Sequence, residues 1–239
     1  MRAGTGQLVA CGTCGGVAVP EASRVVRPFG IQLLQSVRYP FRPTTLAIAA
    51  VVYAVSVATS FFSYSLSSAI QLAWIFAILR STAMGKDDVE IDVADVPSGP
   101  FGWLRPYVRY ALTFAVAFAP AIIVSAIFGG TFSPLVGALA LLGSLSPPAG
   151  IVIAAHNDDW LSPLWPLPGL RFIARIPGPY AMTCGFLMGT MVVGGGLAHA
   201  LADASVLIRA LAGFWNFLMA MITGRALGIL VREHGEELG

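Results

Sequence analysis

The chain has 239 residues, of which 56% are hydrophobic and 11% charged, where soluble domains average about a quarter charged. Fourteen basic and twelve acidic residues are too few to cover the water-facing surface of a soluble chain this long. The mean hydropathy of +0.78 makes lipid the fitting solvent. The net charge of +2 is too small to argue for a nucleic-acid partner, and none is expected; three cysteines exclude a disulfide framework.

In chain order, residues 1–30 read as a cytoplasmic segment ahead of a membrane domain spanning 31–239. Leu8-Val9-Ala10-Cys11 has the form of a lipoprotein cleavage box. Such a box follows an apolar stretch of about 7–15 residues, whereas Met1 to Gln7 are polar and Gly-rich. Cys11-Gly-Thr-Cys14-Gly15 has the spacing of one knuckle of a zinc ribbon. Structural zinc takes four ligands. Cys184 falls within an apolar span, so His234, a second chain or upstream residues would have to complete the set. A redox pair is the rival reading, but no βαβ pattern surrounds it. The expectation is no cofactor, with zinc at Cys11 and Cys14 only if other ligands are supplied.

A bilayer core about 30 Å thick requires about 20 apolar residues at 1.5 Å each. Six stretches qualify: Thr45 to Phe62, Tyr64 to Leu79, Tyr107 to Phe128, Leu135 to Ala155, Tyr180 to Ala202 and Val206 to Val231. The second is the least apolar, carrying Ser65, Ser67, Ser68 and Gln71. The fold class expected is all-α, a polytopic bundle of six transmembrane helices in three hairpins. With both termini inside, thirteen of the fourteen basic residues fall in inner segments and only Arg209 in an outer turn. Basic residues favour the cytoplasmic side, which places both termini in the cytoplasm.

An inner segment mixing Arg, aromatic and aliphatic residues precedes each hairpin: Ile31 to Tyr39, Phe101 to Tyr110, and Leu167 to Tyr180. That composition suits an amphipathic segment in the headgroup layer and suggests a threefold repeat, although convergent interfacial composition would look the same. The loop Lys86 to Asp95 carries five acidic residues; a short acidic run is ordinarily a solvated linker.

Ionisable and amide groups inside the membrane are costly unless paired, so each is a candidate. His199 and Asp203, four apart, would share a helix face near the outer end of the fifth span. Arg225 lies in the inner half of the sixth span, and Asn216 midway along it suggests an interhelical contact. Gln71 and Ser146, with Ser56 and Ser144, would be the polar lining of a solute pathway beside the broken fourth span. Pro120 and Pro147-Pro148 should kink spans three and four. Gly185, Gly189, Gly194, Gly195 and Gly196 would make a bare face on the fifth span for packing against a neighbour, and Gly224 and Gly228 repeat the spacing on the sixth. His156-Asn-Asp158-Asp159 is the one metal-ligand-like cluster a membrane-embedded hydrolase would use.

The stretch Trp160 to Tyr180, the Ser146-Pro147-Pro148 break before it, and Arg225-Ala-Leu-Gly228 to His234-Gly-Glu-Glu-Leu238 resemble uncharacterised bacterial multi-pass proteins related to the Yip-type membrane domain. The resemblance covers Gln32 to the C-terminus through weakly specific motifs. Several such relatives carry an N-terminal zinc-ribbon-like knuckle, of which Cys11 and Cys14 look like a degenerate remnant. It implies a helical bundle of a bacterial inner (cytoplasmic) membrane without established enzymatic activity; eukaryotic Yip-type proteins act in membrane trafficking. With no catalytic constellation visible, the expectation is a non-enzymatic scaffold, organiser or accessory subunit, in contact with membrane lipid and with other membrane subunits or copies of itself. The alternative is a small-solute or ion channel or transporter.

Overall fold

The computed structural model describes residues 9–10, 17–18, 28–86, 104–128, 133–156, 166–201 and 203–238. Two residue pairs form a minimal antiparallel ladder, Val9 opposite Ala18 and Ala10 opposite Val17. Cys11 and Cys14 between them lie outside the described residues, as do the acidic run 87–95 and residues 157–165. The rest of the regular structure is helical: α1 Phe29–Ser36, α2 Pro43–Ser60, α3 Tyr64–Ala83, α4 Leu104–Ile127, α5 Pro134–Leu145, α6 Pro147–His156, α7 Pro166–Arg175, α8 Pro177–Ala200 and α9 Val206–His234.

Six helical stretches are long and apolar enough to cross a membrane, with α5 and α6 together making the fourth. Their surface is inside-out relative to a soluble protein. Leu141, Leu142 and Val192 are 63%, 64% and 73% exposed, an apolar display that only lipid stabilises. The chain is an integral, all-α, multi-pass membrane protein.

Within each hairpin the helices run antiparallel and pack on one another. The pairing of α3 with α9 is the most extensive in the bundle. One apolar core joins α3, α6, α8 and α9, and a second joins α2, α3 and α9. Central position explains the polar sequence of α3. Its mean hydropathy of 1.3 is the lowest of the six, and 44% of its span is buried, the highest share. Protein covers a larger share of it than of any other span.

Small residues set the α3–α9 separation. A Cβ at Gly224 would stand 2.9 Å from the Ile75 carbonyl oxygen. One at Gly228 would stand 2.6 Å from Thr82 Cβ and 2.7 Å from the Leu79 oxygen. The backbones therefore touch, as small-xxx-small spacing allows in membranes.

Pro120 leaves α4 a single continuous helix, whereas Pro147-Pro148 divides the fourth span after Leu145. Two prolines in succession remove two backbone donors, and the freed groups must find partners away from water. Gly143 O accepts from Ser146 Oγ at 3.0 Å, and Ser146 O accepts from Gly150 N at 3.1 Å. The remaining repair comes from α8. Tyr180 Oη donates to Leu145 O and accepts from Ala149 N at 3.2 Å. One phenol bridges the break.

Two of the three expected amphipathic segments are separate helices. Leu33 of α1 and Phe172 of α7 anchor in the core while Leu34, Leu167 and Leu170 stay exposed. The second segment is different: from Leu104 it forms the first turns of α4, so a threefold repeat is not preserved. Both short helices lie at the end of the bundle that holds the C-terminus. Arg232 donates to Gln32 Oε1, and the rings of Phe29 and His234 meet edge-on at 5.6 Å.

Candidate functional site

The predicted polar residues do not converge. Gln71 Nε2 donates to Ser56 Oγ at 3.0 Å, tying α3 to α2, and Ser56 itself donates to Tyr53 O. Ser144 and Ser146 donate to Leu141 O and Gly143 O within their own turn. Each of these groups thus has a partner on its own or the neighbouring helix.

His199 and Asp203 do not share a helix face. α8 ends at Ala200, so Asp203 sits in the turn beyond it, and both residues are exposed. Neither has a hydrogen bond or ion pair among the described residues. Arg225 is 9% exposed, and its guanidinium lies 4.5 Å from the centre of the Tyr39 ring, in the turn before α2. A cation over an aromatic face is attracted by the ring quadrupole, here beside Arg38 and Arg42 at the start of the second helix. Arg225 thus belongs to the arginine-rich end of the bundle, not to its middle.

The α8 glycines divide, because successive helical residues point about 100° apart. Gly194 faces α9, where a Cβ would lie 2.7 Å from Asn216 Oδ1 and 3.3 Å from Met219 Cγ. A Cβ at Gly185, Gly189, Gly195 or Gly196 would meet nothing within 4 Å. The single bare face expected from the five glycines is therefore two or more faces, and among the described residues only Gly194 of the five packs on a neighbour. A different stripe emerges on the outside of α8. Gly178, Met182, Gly185, Gly189, Val192, Gly196 and His199 follow one another in alternating steps of four and three, and all are exposed. That is the spacing of a helix–helix seam.

Asn216 makes no interhelical hydrogen bond among the described residues. Its amide is exposed at the rim of a cavity of about 280 Å³ enclosed by α3, α4, α6, α8 and α9. Phe76, Ile151, Met219 and Leu227 form apolar walls. Thr190 and Thr223 sit in the cavity with their hydroxyl oxygens 3.4 Å apart, each also donating to a carbonyl of its own helix, Leu187 O at 2.8 Å and Met219 O at 3.2 Å. Sequence reasoning passed over these threonines, since a threonine in an apolar span back-bonds to its own helix and carries no mark of a site. Their only signal is that both fall near the middle of a span.

No group of three His, Cys, Asp or Glu residues gathers among the described residues. Cys11, Cys14, Asp158 and Asp159 lie outside them. Compared with protein-family models, with curated proteins and with solved structures, the chain matches none.

Proposed function

We propose that the protein is a non-enzymatic component of a membrane assembly, docking through the outer face of α8. The observation that carries this reading is the seam from Gly178 to His199, four of whose seven residues are glycines with open space where a side chain would be. In lipid, helices associate through close backbone approach rather than through a hydrophobic force. A glycine seam left facing lipid gains packing only when another helix covers it. The resemblance to Yip-type membrane domains supports the same reading by analogy alone. Self-association and docking of another membrane chain both use this face.

Orientation follows from charge. Arg38, Arg42, Arg80, Arg171, Arg175, Arg225 and Arg232 all stand at or near the same ends of their spans. The positive-inside rule assigns that end, with both termini, to the cytoplasm.

Purification in a mild detergent tests the function. The protein should emerge bound to further copies or to companion membrane chains. Recovery as a lone folded monomer contradicts it. The channel reading makes a separate demand: solute flux in liposomes that is lost on Gln71→Leu or Ser146→Ala. The local hydrogen bonds of both side chains favour no such loss.

A further inference from the structure

We infer that the cavity between α3, α4, α6, α8 and α9 is a binding site for an uncharged, hydroxyl-bearing lipid that reaches it from within the bilayer. This goes beyond the assembly role and does not depend on it. Three observations carry the inference. The first is where the cavity opens. Met191, Gly195 and Asn216 at its rim are exposed residues of membrane-spanning helices, so access is from lipid rather than from water. Gly195 keeps that rim open, because a side chain there would enter space that is empty now.

The second is the polar inventory. Asn216 carries an amide with no hydrogen-bond partner among the described residues, offering two donors and an acceptor, and Tyr110 of α4, whose phenol can donate and accept, also lines the cavity. The hydroxyls of Thr190 and Thr223 commit their hydrogens to the carbonyls of their own helices, or one to the other. Each oxygen keeps acceptor capacity toward the cavity. A ligand group that both donates and accepts satisfies this set, and a hydroxyl is the smallest that does. In hydrocarbon, an amide left without a partner is costly.

The third is what the lining lacks. Among the described residues no Arg, Lys, Asp, Glu or His lines the cavity, and an unpaired charge is expensive to bury. Anionic and zwitterionic headgroups are therefore rejected, while an alkyl or isoprenoid chain fits the Phe76 and Met219 walls. The volume of about 280 Å³ lies at the lower limit of ligand pockets, about 300–1,000 Å³. It suits the head and first carbons of such an alcohol, with the rest of the chain left in the bilayer.

The test uses the full chain in phosphatidylcholine vesicles and a long-chain fatty alcohol bearing a diazirine near its hydroxyl end. After irradiation, label should map to the lining residues Thr190, Met191, Asn216, Met219 and Thr223 and should be competed away by excess unlabelled alcohol. The corresponding fatty acid at neutral pH should compete poorly. Gly195→Leu should reduce the competable label at least about fivefold. Gly196→Leu, equally open but outside the cavity, should leave it unchanged. Asn216→Leu should weaken competition about fivefold, the loss of one neutral hydrogen bond, without the bulk of the first variant. Label that rises without saturation and spreads over Val192 and Val193 would mean bulk lipid contact and would overturn the site. So would equal labelling of the Gly195→Leu and Gly196→Leu proteins. Gly189→Leu separates the two proposals: it should remove association and leave this labelling intact.

Discussion

The two glycine-bearing faces of the last hairpin carry the same spacing and meet opposite surroundings. On α9, Gly224 and Gly228 are sealed against the backbone of α3, with no room for a methyl group. On α8, Gly185 and Gly189 are also four apart, and nothing stands within 4 Å of where their side chains would be. Spacing alone thus identifies a face capable of close approach without saying which helix covers it. The inner pair builds the monomer, and the outer pair is left for something else.

The sharpest way to break that contrast is Gly228→Ala. Its methyl would collide with Thr82 Cβ and the Leu79 oxygen, and the bundle centre has no slack to absorb it. A loss of about 3 kcal/mol is expected, near the upper end for overpacking, read by unfolding in detergent. Wild-type stability would show that the α3 and α9 backbones do not touch. Tyr180→Phe comes next, because it strips the bridge at the Pro147-Pro148 break and leaves Leu145 O and Ala149 N without their shared partner. Destabilisation of about 1–3 kcal/mol is expected, with faster amide exchange at Ala149; unchanged exchange there would count against the bridge. Gln71→Leu removes one bond between α2 and α3 and should cost about 0.6 kcal/mol, the mean for membrane interhelical hydrogen bonds. A loss several times larger would mean that Gln71 serves more than the hairpin. Smallest of all, Gly189→Leu should leave monomer stability within about 0.5 kcal/mol of wild type.

How much of this was legible in the sequence follows from which signals are one-dimensional. Span number and limits were legible, since each span is a continuous apolar run and the break at Pro147 is written in residue type. The polar character of α3 was visible too, although its cause, a central position between two cores, depends on packing. The fate of the α8 glycines was not legible. Gly194, Gly195 and Gly196 are neighbours in the chain yet point toward α9, the cavity rim and lipid respectively, and only the angular phase of the helix against its partners decides which. The four-residue spacing of His199 and Asp203 suggests one face, but the helix stops at Ala200. In sequence, Tyr180 reads as the end of an interfacial segment. Its role depends on a carbonyl 35 residues away, which no local pattern encodes. The Thr190–Thr223 pair is the same case across 33 residues.

The decisive measurement is the mass of the detergent-solubilised particle, by light scattering, for wild type and Gly189→Leu side by side. The account requires wild type to run as an assembly and the variant as a single, folded chain with an unaltered unfolding midpoint. Equal masses for the two proteins would show that the outer face of α8 holds nothing.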